Sequence, residues 1–189
     1  MSCLTPARRI LGLLVFVIVS TGEPVCAADA ERIRTLAFGT GWFDFNRQRD
    51  EALEARIEYR VGRPRFPLRA IATATFTGDS SVFVGAGIAY QVDLGRRWTV
   101  TPAFVPGYYR RGNGKDLGFP LEFRSQLEIG YGLPRGSRVA IAVSHLSNGS
   151  LGSRNPGQES LIVACEIPLA RRHLRSRTLA APAERVRNR

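Results

Sequence analysis

Three residues of this chain have the types and spacing that nucleophilic catalysis needs: His145, Ser147 two positions later, and Glu159 twelve positions after the serine. His145 sits in Val143-Ser144-His145-Leu146-Ser147-Asn148-Gly149. Residues two apart on a strand point to the same face, so imidazole and hydroxyl would be neighbours there. An adjacent base turns a weakly nucleophilic hydroxyl into an attacking group at neutral pH. A carboxylate that fixes the imidazole tautomer and stabilises imidazolium completes such a site. The other histidine, His173, lies in a polar tail, so histidine chemistry in the body of the chain rests on His145. A lone His-x-Ser pair on a strand is more often a rim pair than a catalytic dyad. Glu159 taken alone reads equally well as a strand-start carboxylate, and Asn148-Gly149 and Asn155-Pro156-Gly157 as ordinary turns.

The elements that must position these residues are strands. From Arg34 to Leu169 the sequence alternates in segments of about ten residues, broken by Gly, Pro, Asp and Asn. Eight segments are expected, at 34–45, 51–61, 67–77, 81–92, 97–109, 118–132, 137–147 and 158–169. No helical pattern intervenes, and an even number of such strands suits the smallest antiparallel transmembrane β-barrels. In the second segment Leu53, Ala55, Ile57, Tyr59 and Val61 oppose Glu54, Arg56, Glu58 and Arg60. In the sixth, Phe119, Leu121, Phe123, Ser125, Leu127 and Ile129 oppose Glu122, Arg124, Gln126 and Glu128. Charges of both signs thus share one face and can pair there.

Alternation alone does not say which face is inside. A soluble lipid carrier would turn the apolar face inward, a membrane barrel outward. Aromatic placement favours the membrane. With a periplasmic N-terminus, Trp42, Phe43, Phe45, Phe76, Phe83, Tyr108, Tyr109 and Phe119 fall near the outer rim, and Tyr59, Tyr90, Trp98 and Tyr131 near the inner one. Two aromatic bands flanking an aliphatic zone are what the interfaces require. On this reading His145 and Ser147 continue the Val139-Ile141-Val143 face, and Glu159 begins the Leu161-Val163-Cys165-Ile167 face. All three then lie on the lipid-facing wall near the outer rim.

The N-terminus carries Arg8 and Arg9, an apolar run from Ile10 to Val19, and small residues at Cys26-Ala27-Ala28. That order reads as a signal peptide over residues 1–27, cleaved after Ala27 or Ala28. Glu23-Pro24-Val25 before Cys26 does not fit a lipoprotein site. Beyond the signal only Cys165 remains, so no intrachain disulfide is expected. The net charge of +11 would ordinarily suggest nucleic acid, but export argues against that partner. Much of the charge lies in a basic polar tail, 171–189, beyond a barrel spanning 28–170. More lies in loops (Arg47, Arg49, Arg110, Arg111, Lys115, Arg154), where it would suit anionic lipid headgroups.

His145-Leu146-Ser147-Asn148, followed by Asn155-Pro156-Gly157-Gln158-Glu159-Ser160-Leu161, resembles the signature of the lipid A 3-O-deacylase (PagL) family. Asp116-Leu117-Gly118 and Leu121-Glu122-Phe123-Arg124-Ser125 also resemble its acyloxyacyl-hydrolase-like relatives. The resemblance implies an all-β, eight-stranded outer-membrane barrel that removes an acyl chain of lipid A in lipopolysaccharide, with no metal or cofactor. It implies His145, Ser147 and Glu159 as the triad, on the side of the outer leaflet. It further implies an oxyanion hole from Asn148 and the residue two positions on, which here is Ser150 where the family has glycine. The tail past Leu169 departs from the terminal aromatic strand usual in outer-membrane barrels. A non-catalytic structural or adhesive barrel is the alternative function, and a homodimer is left open.

Overall fold

Alternating apolar and polar residues build a single antiparallel sheet. Its strands are β1 (Ile33–Phe43), β2 (Ala52–Gly62), β3 (Leu68–Thr77), β4 (Val82–Tyr90, prolonged past Gln91 by Val92–Leu94), β5 (Trp98–Arg110), β6 (Leu121–Gly132), β7 (Arg138–Ser147) and β8 (Gln158–Pro168). The computed structural model describes residues 32–46 and 51–169. The signal segment, the basic tail with His173, and Arg47 and Arg49 lie outside the described residues. Each strand pairs with its sequence neighbour, and β1 pairs with β8 from Thr35 opposite Pro168 to Phe43 opposite Ser160. The sheet therefore closes into an eight-stranded barrel, which leaves no free edge.

Three short turns and both ends of the strand run (Ile33 and Pro168) mark one end of the barrel, the turn end. The longer connections, 111–120 and 148–157, mark the other, the loop end. The expected segments agree with the strands to within a few residues. The sixth differs most, because Gly118 has φ +88° and Pro120 has no N–H to donate, so β6 starts only at Leu121.

The apolar face points outward. Leu53, Ile57, Leu127, Ile129, Ile141 and Val163 are exposed on the wall, while Glu54, Arg56, Glu58, Arg60, Glu122, Arg124 and Glu128 are buried inside. This arrangement excludes the lipid-carrier alternative, which needs an apolar lumen. Inside, Arg60 donates to both carboxylate oxygens of Glu128 at 2.7 and 2.6 Å and to Glu58 at 2.6 Å. Arg56 donates to Gln126 at 2.7 Å, and Arg124 bonds Thr75 at 3.1 Å and stacks over the Phe83 ring at 4.6 Å. Near the turn end Arg138 joins Glu166 and Gln91 at 3.2 and 3.1 Å. Pairing of this kind offsets the cost of taking these charges out of water.

Three aromatics assigned to the outer band point inward instead. Phe43, Phe83 and Tyr109 are 3%, 1% and 6% exposed. Trp42 and Tyr108 take the outward positions, so alternation turns their neighbours Phe43 and Tyr109 into the lumen. There they form, with Leu117 and Leu146, an apolar plug beneath the loops.

Candidate active site

β7 and β8 run antiparallel with His145 directly opposite Glu159. Both side chains point outward, because Ser144, Leu146, Gln158 and Ser160 on either side of them are buried in the lumen. His145 Nδ1 lies 3.1 Å from Glu159 Oε1. With the carboxylate ionised, Nδ1–H donates and Nε2 is left as the base. Ser147 follows two residues on, half-buried on the same face, opposite Phe123 of β6. The structure thus joins His145 to Glu159 and sets Ser147 on the same outward face at the loop end, with no hydrogen bond between Ser147 and His145 among the described residues. The His145 side chain is 47% exposed and that of Glu159 20%, so the patch opens to whatever surrounds the wall.

The start of β8 is held firmly. Gln158 Oε1 accepts from the Asp44 N–H at 3.4 Å, the Glu159 carbonyl accepts from the Phe45 N–H at 3.3 Å, and the Ser160 hydroxyl donates to Glu54. These inward anchors on both sides of Glu159 fix its outward aim. Gly157 supplies the other constraint. It has φ +61°, and a Cβ there would lie 2.9 Å from His145 Cε1. The glycine is needed both for the left-handed turn and for room beside the imidazole.

Asn148 is fully buried and organises two loops. Its Nδ2 donates to the carbonyls of Leu117 at 2.8 Å and Arg154 at 2.7 Å, and its Oδ1 accepts from the Ser150 N–H at 2.9 Å. Its own N–H donates to Asn155 Oδ1 at 3.1 Å. Both N–H groups expected at the oxyanion hole, of Asn148 and Ser150, are therefore engaged with side chains. Gly149 and Ser150 have φ +60° and +65°, and Gly149 lies over the Phe123 ring, the cross-strand neighbour of Ser147.

A surface clasp joins the same loops. Arg154 donates to Asp116 at 2.6 Å, and Arg111 reaches the same carboxylate oxygen at 3.4 Å. The Gly118 N–H bonded to Asp116, with Arg154 and Arg111 beside it, holds that carboxyl below the usual carboxylate range. Arg110 and Arg111 also line an open groove of about 300 Å³ with Tyr108, Phe119 and Pro120. Lys115 does not join them. It is buried, with Nζ 2.6 Å from Asp44 Oδ1, and Tyr109 donates to its carbonyl at 2.9 Å. The Asp44 carboxylate is itself fully buried and needs a counter-ion, which draws the lysine into the plug.

The sequence does not disclose the roles of Asn155 and Gly157 or the pairing of Asp116 with Arg154. The Asn155-Pro156-Gly157 turn was the available signal, but a turn tripeptide does not disclose that it walls a histidine.

A model of the family "Lipid A 3-O-deacylase (PagL)" matches residues 34–168, well over half the chain. Among solved structures, the outer membrane enzyme PagL is similar with a TM-score of 0.55 and 18% identity, over 71% of this chain and 99% of that one. Neisserial surface protein A (NspA) is similar with a TM-score of 0.52 and 9% identity, over 72% of this chain and 96% of that one. At these identities the two likenesses are of fold. No curated protein matches the chain.

Proposed function

This chain belongs to the lipid A 3-O-deacylase (PagL) family, and from that premise we propose that it hydrolyses an acyl ester of lipid A, the 3-O-linked chain, in the outer membrane. The observation that carries the reading is the 3.1 Å contact of His145 Nδ1 with Glu159, with Ser147 two residues on along the same outward face. A soluble enzyme has no use for polar catalytic groups on an apolar wall. For a substrate that is itself a lipid of the outer leaflet, the wall is where the ester arrives, and the loop end faces outward.

Ser147 Oγ attacks the acyl carbonyl while His145 Nε2 takes its proton, and Glu159 stabilises the imidazolium. The tetrahedral intermediate collapses as Nε2 returns the proton to the departing sugar oxygen. Water, activated by the same imidazole, then releases the fatty acid from Ser147. The oxyanion is met at the 148–150 turn. The Gly149 N–H makes no hydrogen bond among the described residues, whereas those of Asn148 and Ser150 must exchange their present acceptors for it. One well-aimed donor contributes roughly 3 kcal/mol. Arg110 and Arg111, in their groove with Tyr108 and Phe119, take the anionic headgroup.

The test is Ser147→Ala in cells whose lipid A is read by mass spectrometry. The variant should fold into a heat-modifiable barrel and leave lipid A fully acylated, while the parent protein removes one chain. Acyl release by Ser147→Ala would sink the assignment. Unchanged lipid A with the parent protein would favour a structural barrel.

A further inference from the structure

The two ends of the barrel differ sharply in exposed charge. At the loop end the exposed or half-exposed groups among the described residues nearly cancel: Arg110, Arg111 and Arg154 against Glu51, Asp79, Asp116 and Glu159. At the turn end every connection carries arginine: Arg63 and Arg65 between β2 and β3, Arg96 and Arg97 between β4 and β5, and Arg135 between β6 and β7. Arg34 at the start of β1 completes the ring, and all six are exposed. Asp93 is the exposed acid at this end among the described residues. None of the six arginines forms an ion pair among the described residues, although Arg97 donates to the Tyr131 hydroxyl at 2.9 Å and lies 5.8 Å over its ring.

Just inside this ring runs the lower aromatic belt. Tyr59, Tyr90 and Trp98 are exposed on the wall, with Trp98 edge-on to Tyr131 at 4.9 Å. Such a belt marks the membrane interface, so cations in the turns beyond it stand at headgroup level. Guanidinium binds phosphate through a planar fork, and arginine, not lysine, fills every one of these turns. We propose that the turn end carries a collar for anionic glycerophospholipid, whose phosphates are held by Arg63, Arg65, Arg96, Arg97 and Arg135. The collar sits on the opposite end from His145 and Ser147 and does not depend on their chemistry. A cell-wall polymer is the rival anion. It is disfavoured because the arginines adjoin lipid-facing aromatics and form a ring around the wall, whereas a polymer would need a patch on the end face.

The purified barrel is presented with equal amounts of phosphatidylglycerol and phosphatidylcholine in mixed micelles, and retained lipid is counted by native mass spectrometry. The collar predicts at least several-fold enrichment of phosphatidylglycerol. The variant Arg63→Gln/Arg65→Gln/Arg96→Gln/Arg97→Gln/Arg135→Gln should bring the ratio most of the way to one, while Arg110→Gln/Arg111→Gln, which removes the loop-end groove's two arginines, lowers it by a smaller share. Equal retention by the parent protein overturns the proposal, as does loss of preference only in the loop-end variant. If the five-fold variant does not fold, the parent protein still decides. Its preference should fall steeply between about 0.05 and about 0.5 M salt, as interfacial ion pairing is screened, and a salt-independent preference refutes the collar. Co-sedimentation with cell-wall sacculi in place of lipid enrichment would assign the arginines to the polymer and also overturn it.

Discussion

Replacing Glu159 by glutamine isolates the electrostatic part of the proposed triad. Glutamine keeps the shape of the side chain and can still accept from His145 Nδ1–H, so the register of β7 and β8 is undisturbed. What vanishes is the attraction between carboxylate and imidazolium as Ser147 gives up its proton. At the 3.1 Å Nδ1–Oε1 separation, a pair of unit charges is worth about 1 kcal/mol in bulk water and about 5 kcal/mol at an effective dielectric of ~20. Glu159 is mostly covered and His145 half open, which places the site between those limits. A loss of about 2–3 kcal/mol in the transition state follows, a fall in kcat of ~30- to 200-fold. Because the charge pair forms only during reaction, KM should hardly change. Initial rates of fatty acid release from lipopolysaccharide in mixed micelles measure this, with heat-modifiable migration as the control for folding. A folded variant whose kcat falls less than about threefold, or whose defect lies in KM alone, would refute the role of Glu159.

Asn148→Ala strands the Leu117 and Arg154 carbonyls and the Ser150 N–H, and should destabilise the loop end by about 3 kcal/mol. Faster amide exchange confined to residues 111–120 and 148–157 would show it. Gly157→Ala sets an L-residue at φ +61°, costing about 1 kcal/mol, and drives its Cβ against His145. The barrel should persist while kcat drops at least about tenfold, a value that steady-state kinetics will check. Asp116 has its carboxyl pKa depressed in the folded protein, so its clasp stabilises above the unfolded-state pKa and is lost as pH falls through the lower folded value. Asp116→Asn should reproduce that loss at neutral pH, read as faster tryptic cleavage after Arg111 and Arg154, and an unchanged cleavage rate would count against the clasp.

Strand positions and their faces were legible because each central segment carries several alternating residues, as Glu54-Arg56-Glu58-Arg60 against Leu53-Ile57-Tyr59 does. The alternation extends to His145 and Ser147, whose shared outward face follows from Val139, Ile141 and Val143 below them. Legibility ended at the strand ends. Phe43, Phe83 and Tyr109 read as rim aromatics because place along a strand gives a residue's height on the wall, whereas at a strand end few alternating neighbours remain to give its direction. Lys115 read as a headgroup contact because its partner Asp44 is 71 residues away in sequence. The bonds of Asn148 to Leu117 and Arg154 are hidden in the sequence because they depend on how two loops meet. Local patterns specify faces, whereas contacts between loops depend on barrel closure.

The lumen is crossed by the Arg138–Glu166, Arg60–Glu128 and Arg56–Gln126 contacts and capped beneath the loops by the plug of Phe43, Phe83 and Tyr109. Such a barrel should be electrically silent in a planar bilayer, since the apolar plug stands across the lumen beneath the loops. A cell can then hold many copies without weakening its permeability barrier to small toxins. The proposed products have no axial exit either. Fatty acid and trimmed glycolipid would leave sideways, within the plane of the membrane that supplied the substrate.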